Sequence, residues 1–347
     1  MKALQISAPG QVSAVELPEP GAPKAGEVLL RMEYVGFCGS DLNTYRGRNA
    51  MAKSPVIPGH EIGAIIEAVG PGVPEGLKPG ITVTVNPYTA CGACPSCRRG
   101  RPNACRSNQT LGVQRDGAMR ELMAVPWEKV IPAGNLSTRE TALVEPMSVG
   151  FHAVSRGAVT DIDTVMVIGC GMVGLGAVVR AALRGATVIA ADIDEEKLLI
   201  AKQMGAAYAL NTMAPDFSER LAEATGGDGP DVVIEAVGSP ATYRLAVDSV
   251  AFTGRVVCIG YSKADVTFET RLFVQKELDI RGSRNAEPSD FRAVIRYMER
   301  GTCPTDTLIS RVVDWAGAPE ALRFWDGNPG KVFRILLKID SDSVNNA

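Results

Sequence analysis

Four of the eight cysteines fall within fifteen residues, in the stretch CGACPSCRRGRPNAC at 91–105. The spacing is Cys91-x2-Cys94-x2-Cys97-x7-Cys105. Four thiolates at such separations can close a tetrahedron about zinc, and a site filled by sulfur leaves no position for water or substrate. Such a knot is structural. A four-Cys iron–sulfur cluster has similarly short spacings. A disulfide staple, a redox centre and a nucleic-acid-binding ribbon are further uses of clustered cysteine. Arg98, Arg99, Arg101 and Arg106 flank the cluster, and against a net charge of −3 they read as a solvated loop face.

A second group of potential ligands is dispersed. Cys38 lies in GFCGSD, His60 and Glu61 in PGHE, and Glu145 in ALVEPM. Cysteine, histidine and carboxylate form a catalytic-type set, with fewer than four strong protein ligands and room for water or a substrate oxygen. The chain has only two histidines, so His60 beside Glu61 stands out. Singly, each residue is bland: a lone cysteine is usually a small core residue, and a lone glutamate lies on the surface. His152, in VGFHAV, reads as a packed or capping histidine, and Cys170, Cys258 and Cys303 as small core residues.

The third feature is a glycine turn. VMVIGCGMVG holds Gly169-x-Gly171-x-x-Gly174 after an apolar strand pattern and at the start of a helical one. The first glycine makes the tight turn, the second lets backbone approach a pyrophosphate, and the third lets helix pack on strand. The helix N-terminus then offers its free N–H groups to phosphate. Asp192 follows 23 residues after Gly169, near the spacing of an acid that binds the adenine ribose. Asp194, Glu195 and Glu196 beside it would repel a 2′-phosphate, which favours NAD over NADP. The alternative task for Asp192 is to cap the next helix.

The elements that must position these residues have two textures. Residues 1–145 are rich in Pro and Gly, with short β-type runs such as GEVLLRMEYV, IGAIIEAVG, ITVTVNPY and RELMAVP. From about Thr164 apolar strands (TVMVIG, TVIAADI, YALNT, DVVIEAVG, RVVCIGY, LDIRGS) alternate with helical stretches, which predicts a parallel, doubly wound sheet. After about Asn285 come one helix, SDFRAVIRYMERG, and a closing strand, GKVFRILLKI, expected to return to the first domain. The 347 residues, 46% hydrophobic and 22% charged, suit a two-domain globular protein. The N-terminus lacks a signal-peptide pattern, and the longest uncharged apolar run, Thr164–Val179, is too short for a membrane span. The reading is therefore cytoplasmic, with no membrane and no nucleic-acid partner.

Together CGSD, GHE, the four-Cys lobe, EPMSVGFHA, the glycine turn with Asp192, and IRGS resemble the zinc-dependent medium-chain dehydrogenases/reductases over nearly the whole chain. EPMSVGFHA and Glu61 resemble the polyol and threonine branch. FCGSDLNTYRGRN looks like bacterial sugar-acid dehydrogenases of the galactonate, gulonate or idonate type. The resemblance implies an α/β chain with a GroES-like, mostly-β catalytic domain (1–150 and 286–347) and a Rossmann NAD-binding domain (151–285). It implies one catalytic and one structural zinc per chain, and NAD. Cys38 and His60 would ligate the catalytic zinc, with Glu61 and Glu145 as alternative carboxylate ligands. Ser40 would take the substrate proton, and Asp41 would hold His60. Gly169, Gly171, Met172, Val173, Gly174, Asp192, Lys197, Val237 and Ile259 would bind the cofactor.

The implied reaction is reversible NAD-linked oxidation of a secondary alcohol of a sugar acid or polyol. A carboxylate on the substrate calls for a cation, best a forked guanidinium. The candidates are Arg46, Arg48, Arg115, Arg120 and Arg284, with Arg115 and Arg284 favoured by their loops. Some relatives carry a proton-relaying histidine where this chain has Asn43. Ala64 and Ala118 replace common glycines and threaten the local backbone. A homodimer or homotetramer is implied, with ADVTFETRLF and its neighbours as a possible edge strand. A sorbitol-, xylitol- or threonine-type dehydrogenase is the alternative within the class. A non-catalytic NAD- and zinc-binding regulator and a nucleic-acid binder are the alternatives outside it.

Overall fold

The computed structural model describes residues 1–339. It divides into two compact units, Met1–Glu145 with the segment from Glu287 onward, and Pro146–Ala286.

The second unit is built on a six-stranded parallel sheet. Its strands are Thr164–Ile168, Thr187–Asp192, Tyr208–Asn211, Val232–Glu235, Arg255–Cys258 and Asp279–Gly282. Runs such as VVIE are buried at every position, because helices cover both faces of a parallel sheet. In chain order the strands lie 3-2-1-4-5-6, the doubly wound Rossmann arrangement. The order reverses between Thr164–Ile168 and Val232–Glu235, and ligands of such sheets bind beyond the carboxyl ends of the strands at that point. Helix Met172–Leu183 follows the first strand and helix Glu195–Gln203 the second.

ADVTFETRLF is not an edge strand. Residues 264–269 form no strand, and a short helix, Arg271–Gln275, follows. Phe268, Leu272 and Phe273 pack onto the core that holds Val233 and Val256, which an outward-alternating strand would not permit. The edge is Asp279–Gly282, in register with Arg255–Cys258 through Val256 and Ile280.

The first unit is a β-structure around one long strand, Glu27–Phe37. It pairs antiparallel with Glu61–Val69, Leu122–Pro126 and Ile335–Lys338. Gly36 stands opposite Glu61, and Phe37 opposite Ile335. This register brings Cys38, Glu61 and Arg334, far apart in the chain, to one end of the sheet. The N-terminus adds a hairpin, Lys2–Ala8 with Gln11–Glu16, whose mixed composition gave no clear strand signal. Ala64 and Ala118 are fully buried, and neither adopts left-handed backbone, so the local geometry accommodates both.

Candidate metal centres and dinucleotide site

Cys38 follows the long strand directly and caps the helix Gly39–Tyr45. The ligand atoms of Cys38, His60 and Glu61 lie within 4.8 Å of one another. His60, Glu61 and Glu145 are all buried. Tyr88 donates its hydroxyl to Glu145 Oε1. Burial disfavours the His60 cation, but the negative Cys38, Asp41 and Glu145 outweigh that and raise its pKa. Burial pushes Glu145 up to about 7, with attraction to His60 opposing it. Burial likewise pushes Asp41 up to about 6. This is an acid-rich, water-excluded cluster short of positive charge.

One positive group within it carries no sequence signature. Arg334 is buried, lies 3.1 Å from Glu61 Oε2, and donates to the Phe37 carbonyl at 2.7 Å. The ion pair is close but not aligned as a hydrogen bond: Arg334 Nε and both Glu61 oxygens lack hydrogen-bond partners. His60 Nδ1, Asp41 Oδ1 and Ser40 Oγ lack them too. Asp41 therefore does not hydrogen-bond His60 through these atoms; its Oδ2 instead accepts the Cys38 N–H at 2.8 Å. Orphaned buried acceptors are costly. A divalent cation held by thiolate, imidazole and carboxylate would satisfy them, so the residues fit a catalytic zinc of mixed donors.

The lobe at 91–105 fits a different site. Its four cysteines form no disulfide, and their ligand atoms lie within 4.8 Å of one another. The Cys94 and Cys97 sulfurs are 3.5 Å apart, and those of Cys94 and Cys105 3.9 Å. A tetrahedron with Zn–S bonds of about 2.3 Å has edges of about 3.8 Å, whereas a disulfide would need about 2.05 Å. A cluster of several irons would spread the thiolates further. Backbone N–H groups of Cys91 and Cys94 point at the sulfurs of Cys105 and Cys91. The Ser96 hydroxyl, and then backbone N–H groups, pull the Cys94 thiol pKa down, which favours the ligating thiolate.

In the second unit Gly169 sits at φ +93°, where L side chains are strained, and a Cβ on Gly174 would strike the Gly169 carbonyl. A Cβ on Gly171 would meet nothing, so open space lies over the turn where a pyrophosphate would approach. Met172 and Val173 open the following helix. Asp192 Oδ2 accepts the Cys170 N–H at 2.6 Å, and Oδ1 accepts those of Ile193 and Asp194. The acid thus fixes the glycine turn and its own loop together. The cap of the next helix is Asp194, not Asp192. Lys197 lies near enough for its charge to act on Cys170. Val237 and Ile259 stand just past the fourth and fifth strands. Glu235, fully buried, holds the first of these loops through the N–H groups of Val237 and Gly238 and the Thr242 hydroxyl. Sequence reading missed Glu235; an acid at the end of an apolar strand was its only signal. His152 and Cys170 are buried, while Cys258 and Cys303 are half-buried.

The arginine candidates separate. Arg46 is tied to Asp326, and Arg120 donates to the Gly117 carbonyl. Among the described residues Arg115 has no carboxylate partner, and Arg284 lies just past the edge strand of the other unit.

Residues 24–135 match the alcohol dehydrogenase GroES-like domain, and residues 173–300 the zinc-binding dehydrogenase domain. The chain is 34% identical over 305 residues to L-galactonate-5-dehydrogenase of Escherichia coli K12, covering 88% of each. It is 36% identical over 322 residues to sorbitol dehydrogenase of Bacillus subtilis, covering 90% of this chain and 87% of the relative. The chain belongs to the zinc-dependent alcohol dehydrogenase family. It is an oxidoreductase. Among solved structures, the alcohol dehydrogenase rspB of E. coli CFT073, complexed with NADH, superposes with a TM-score of 0.88 at 32% identity. That match covers 98% of this chain and 99% of the other. No described helix is long and apolar enough to cross a membrane.

Proposed function

We propose that this dehydrogenase reversibly oxidises a secondary alcohol of a sugar acid or polyol to the ketone, of the L-galactonate, L-gulonate or L-idonate 5-dehydrogenase type. The observation that carries this is the Cys38–His60–Glu61 cluster, with His60 and Glu61 buried, its carboxylate oxygens orphaned, and the unpartnered Ser40 hydroxyl beside it. The L-galactonate and sorbitol relatives support the substrate class.

Cys38 and His60, with Glu61 or Glu145, would hold the catalytic zinc, and Cys91, Cys94, Cys97 and Cys105 a structural one. Bound zinc supplies Lewis acidity that lowers the pKa of the substrate hydroxyl. Ser40 Oγ, which has no hydrogen-bond partner in the fold, would take that proton while passing its own on to the cofactor ribose and water. Arg334 restrains Glu61 and Tyr88 restrains Glu145, so each carboxylate has a resting partner when it is not a ligand. Asn43 cannot relay a proton as imidazole can. The turn at Gly169–Gly174 with Asp192 and Lys197 would hold NAD, whose nicotinamide would supply the hydride acceptor. The acidic Asp194, Glu195 and Glu196 at the ribose end disfavour NADP. The oligomer is a homodimer or homotetramer, and eight cysteines without a disulfide suit the cytoplasm.

NADH formation measured on galactonate, gulonate and idonate, against sorbitol, xylitol and threonine, tests the reading. Faster turnover on the acids is expected. Equal or better rates on the neutral polyols would move the assignment to the sorbitol type, and no NADH from any of them would sink it.

A further inference from the structure

The loop 110–119 is stapled to the segment that leads into His60. Gly117, Ala118 and Met119 donate to the carbonyls of Ile57, Gly59 and Pro58 at 2.7, 2.9 and 3.0 Å. Ile57 returns a hydrogen bond to Asp116 Oδ1. A Cβ on Gly112 or Gly117 would press into the Pro58–Gly59 backbone, so the two segments run in direct contact. The same loop also reaches the segment that carries Tyr88: Leu111 donates to the Pro87 carbonyl at 3.1 Å. Arg115 is therefore borne on a loop fixed to two of the segments that build the candidate catalytic centre.

Its guanidinium is poorly compensated. It is half-buried, its Nε is shielded from water with no partner, and one N–H reaches the Pro87 carbonyl only at 3.4 Å. The neighbouring carboxylate, Asp116, is engaged by the Ile57 N–H and by Arg120 at 4.0 Å. The nearby Lys129 is a second cation; burial, then repulsion from Arg115, lowers its pKa. Exposed Lys53, which makes no ion pair among the described residues, stands with Arg115 on the wall of a hollow of about 450 Å³ lined also by Val56, Val113, Gln114 and the engaged Asp116. Such a volume suits a six-carbon ligand. A partly desolvated guanidinium without an anion is unfavourable, and its fork matches an oxyanion in two-point contact.

We propose that the hollow between Arg115 and Lys53 is the subsite for the anionic terminus of the substrate, a carboxylate or a phosphate ester. Arg115 grips the oxyanion and Lys53 adds charge at the mouth. The proposal deepens the dehydrogenase reading and rests on it, but its binding can be measured without turnover.

The test compares kcat/KM on galactonate, galactitol 1-phosphate and galactitol for the zinc-loaded wild type, Arg115→Met and Arg115→Lys. In Arg115→Met the ratio of anionic to neutral substrate should fall ~10- to 100-fold, chiefly through KM, as loss of a charge-assisted pair requires. Arg115→Lys should recover part of it. Which anionic substrate leads tells carboxylate from phosphate. An unchanged ratio in Arg115→Met overturns the subsite. If the wild type oxidises none of the three and none of the six substrates above, the dehydrogenase reading fails on its own. The subsite is then decided by calorimetric binding of gluconate and inorganic phosphate. Binding lost in Arg115→Met supports it, and equal or absent binding in wild type and variant overturns it. NADH affinity serves as the folding control in every variant.

Discussion

The two cysteine-containing clusters are opposites. The lobe draws four like ligands from fifteen contiguous residues near the surface, and its sulfurs already sit at the edges of a tetrahedron. The other cluster draws unlike ligands from strand ends far apart in the chain, buries the imidazole and the carboxylate, and leaves several polar atoms unsatisfied. Local chain closure can saturate a metal and so contributes stability. Assembly by a sheet can stop short of saturation, and an unsaturated site is where a substrate oxygen can enter.

This contrast breaks first at Cys38 or His60. Replacing either by alanine should lower kcat/KM at least ~1000-fold, the scale of lost Lewis-acid assistance, while NADH binding persists. Steady-state kinetics beside NADH fluorescence titration would show it; a variant within tenfold of wild type would place the chemistry elsewhere. Arg334→Met sharpens the picture of the buried cluster. Stranding Glu61 without its cation should destabilise the protein by ~3–5 kcal/mol in denaturant unfolding, with part recovered in Arg334→Met/Glu61→Gln. No recovery in the double variant would mean Arg334 acts by packing alone.

Cys94→Ser addresses the lobe. Its thermal midpoint should drop by roughly 5 °C while kcat per NADH-binding chain stays within about threefold, because a structural metal contributes to folding and not to the reaction. A kcat loss as deep as that of Cys38→Ala would erase the distinction between the clusters. The smallest effect belongs to the other unit. Asp192→Ala should raise KM for NAD about tenfold, the worth of one or two ribose hydrogen bonds, and narrow the preference over NADP. An unchanged NAD/NADP ratio would remove Asp192 from recognition.

Some of this was legible in the sequence. Strand–helix alternation from Thr164 onward is a strong local pattern, and all six strands of the parallel sheet lie where apolar runs mark them. The glycine turn and the lobe are contiguous motifs, so their geometry follows from spacing. Arg334 was not legible. Its bond to Phe37 spans 297 residues, and its place beside Glu61 depends on strand register, which leaves no mark near either residue. Tyr88 was missed for the same reason, since only the folded unit brings it to Glu145. ADVTFETRLF misled because its apolar residues turn inward onto the core instead of forming an edge.

The most direct test of the contrast is zinc content per chain, by elemental analysis of wild type, Cys38→Ala and Cys94→Ser, with activity measured on the same samples. The expected result is two ions in the wild type and one in each variant, with activity gone only in Cys38→Ala. A Cys38→Ala chain that keeps two zinc ions, or a Cys94→Ser chain that loses one ion and all activity with it, would contradict the division between a catalytic and a structural centre.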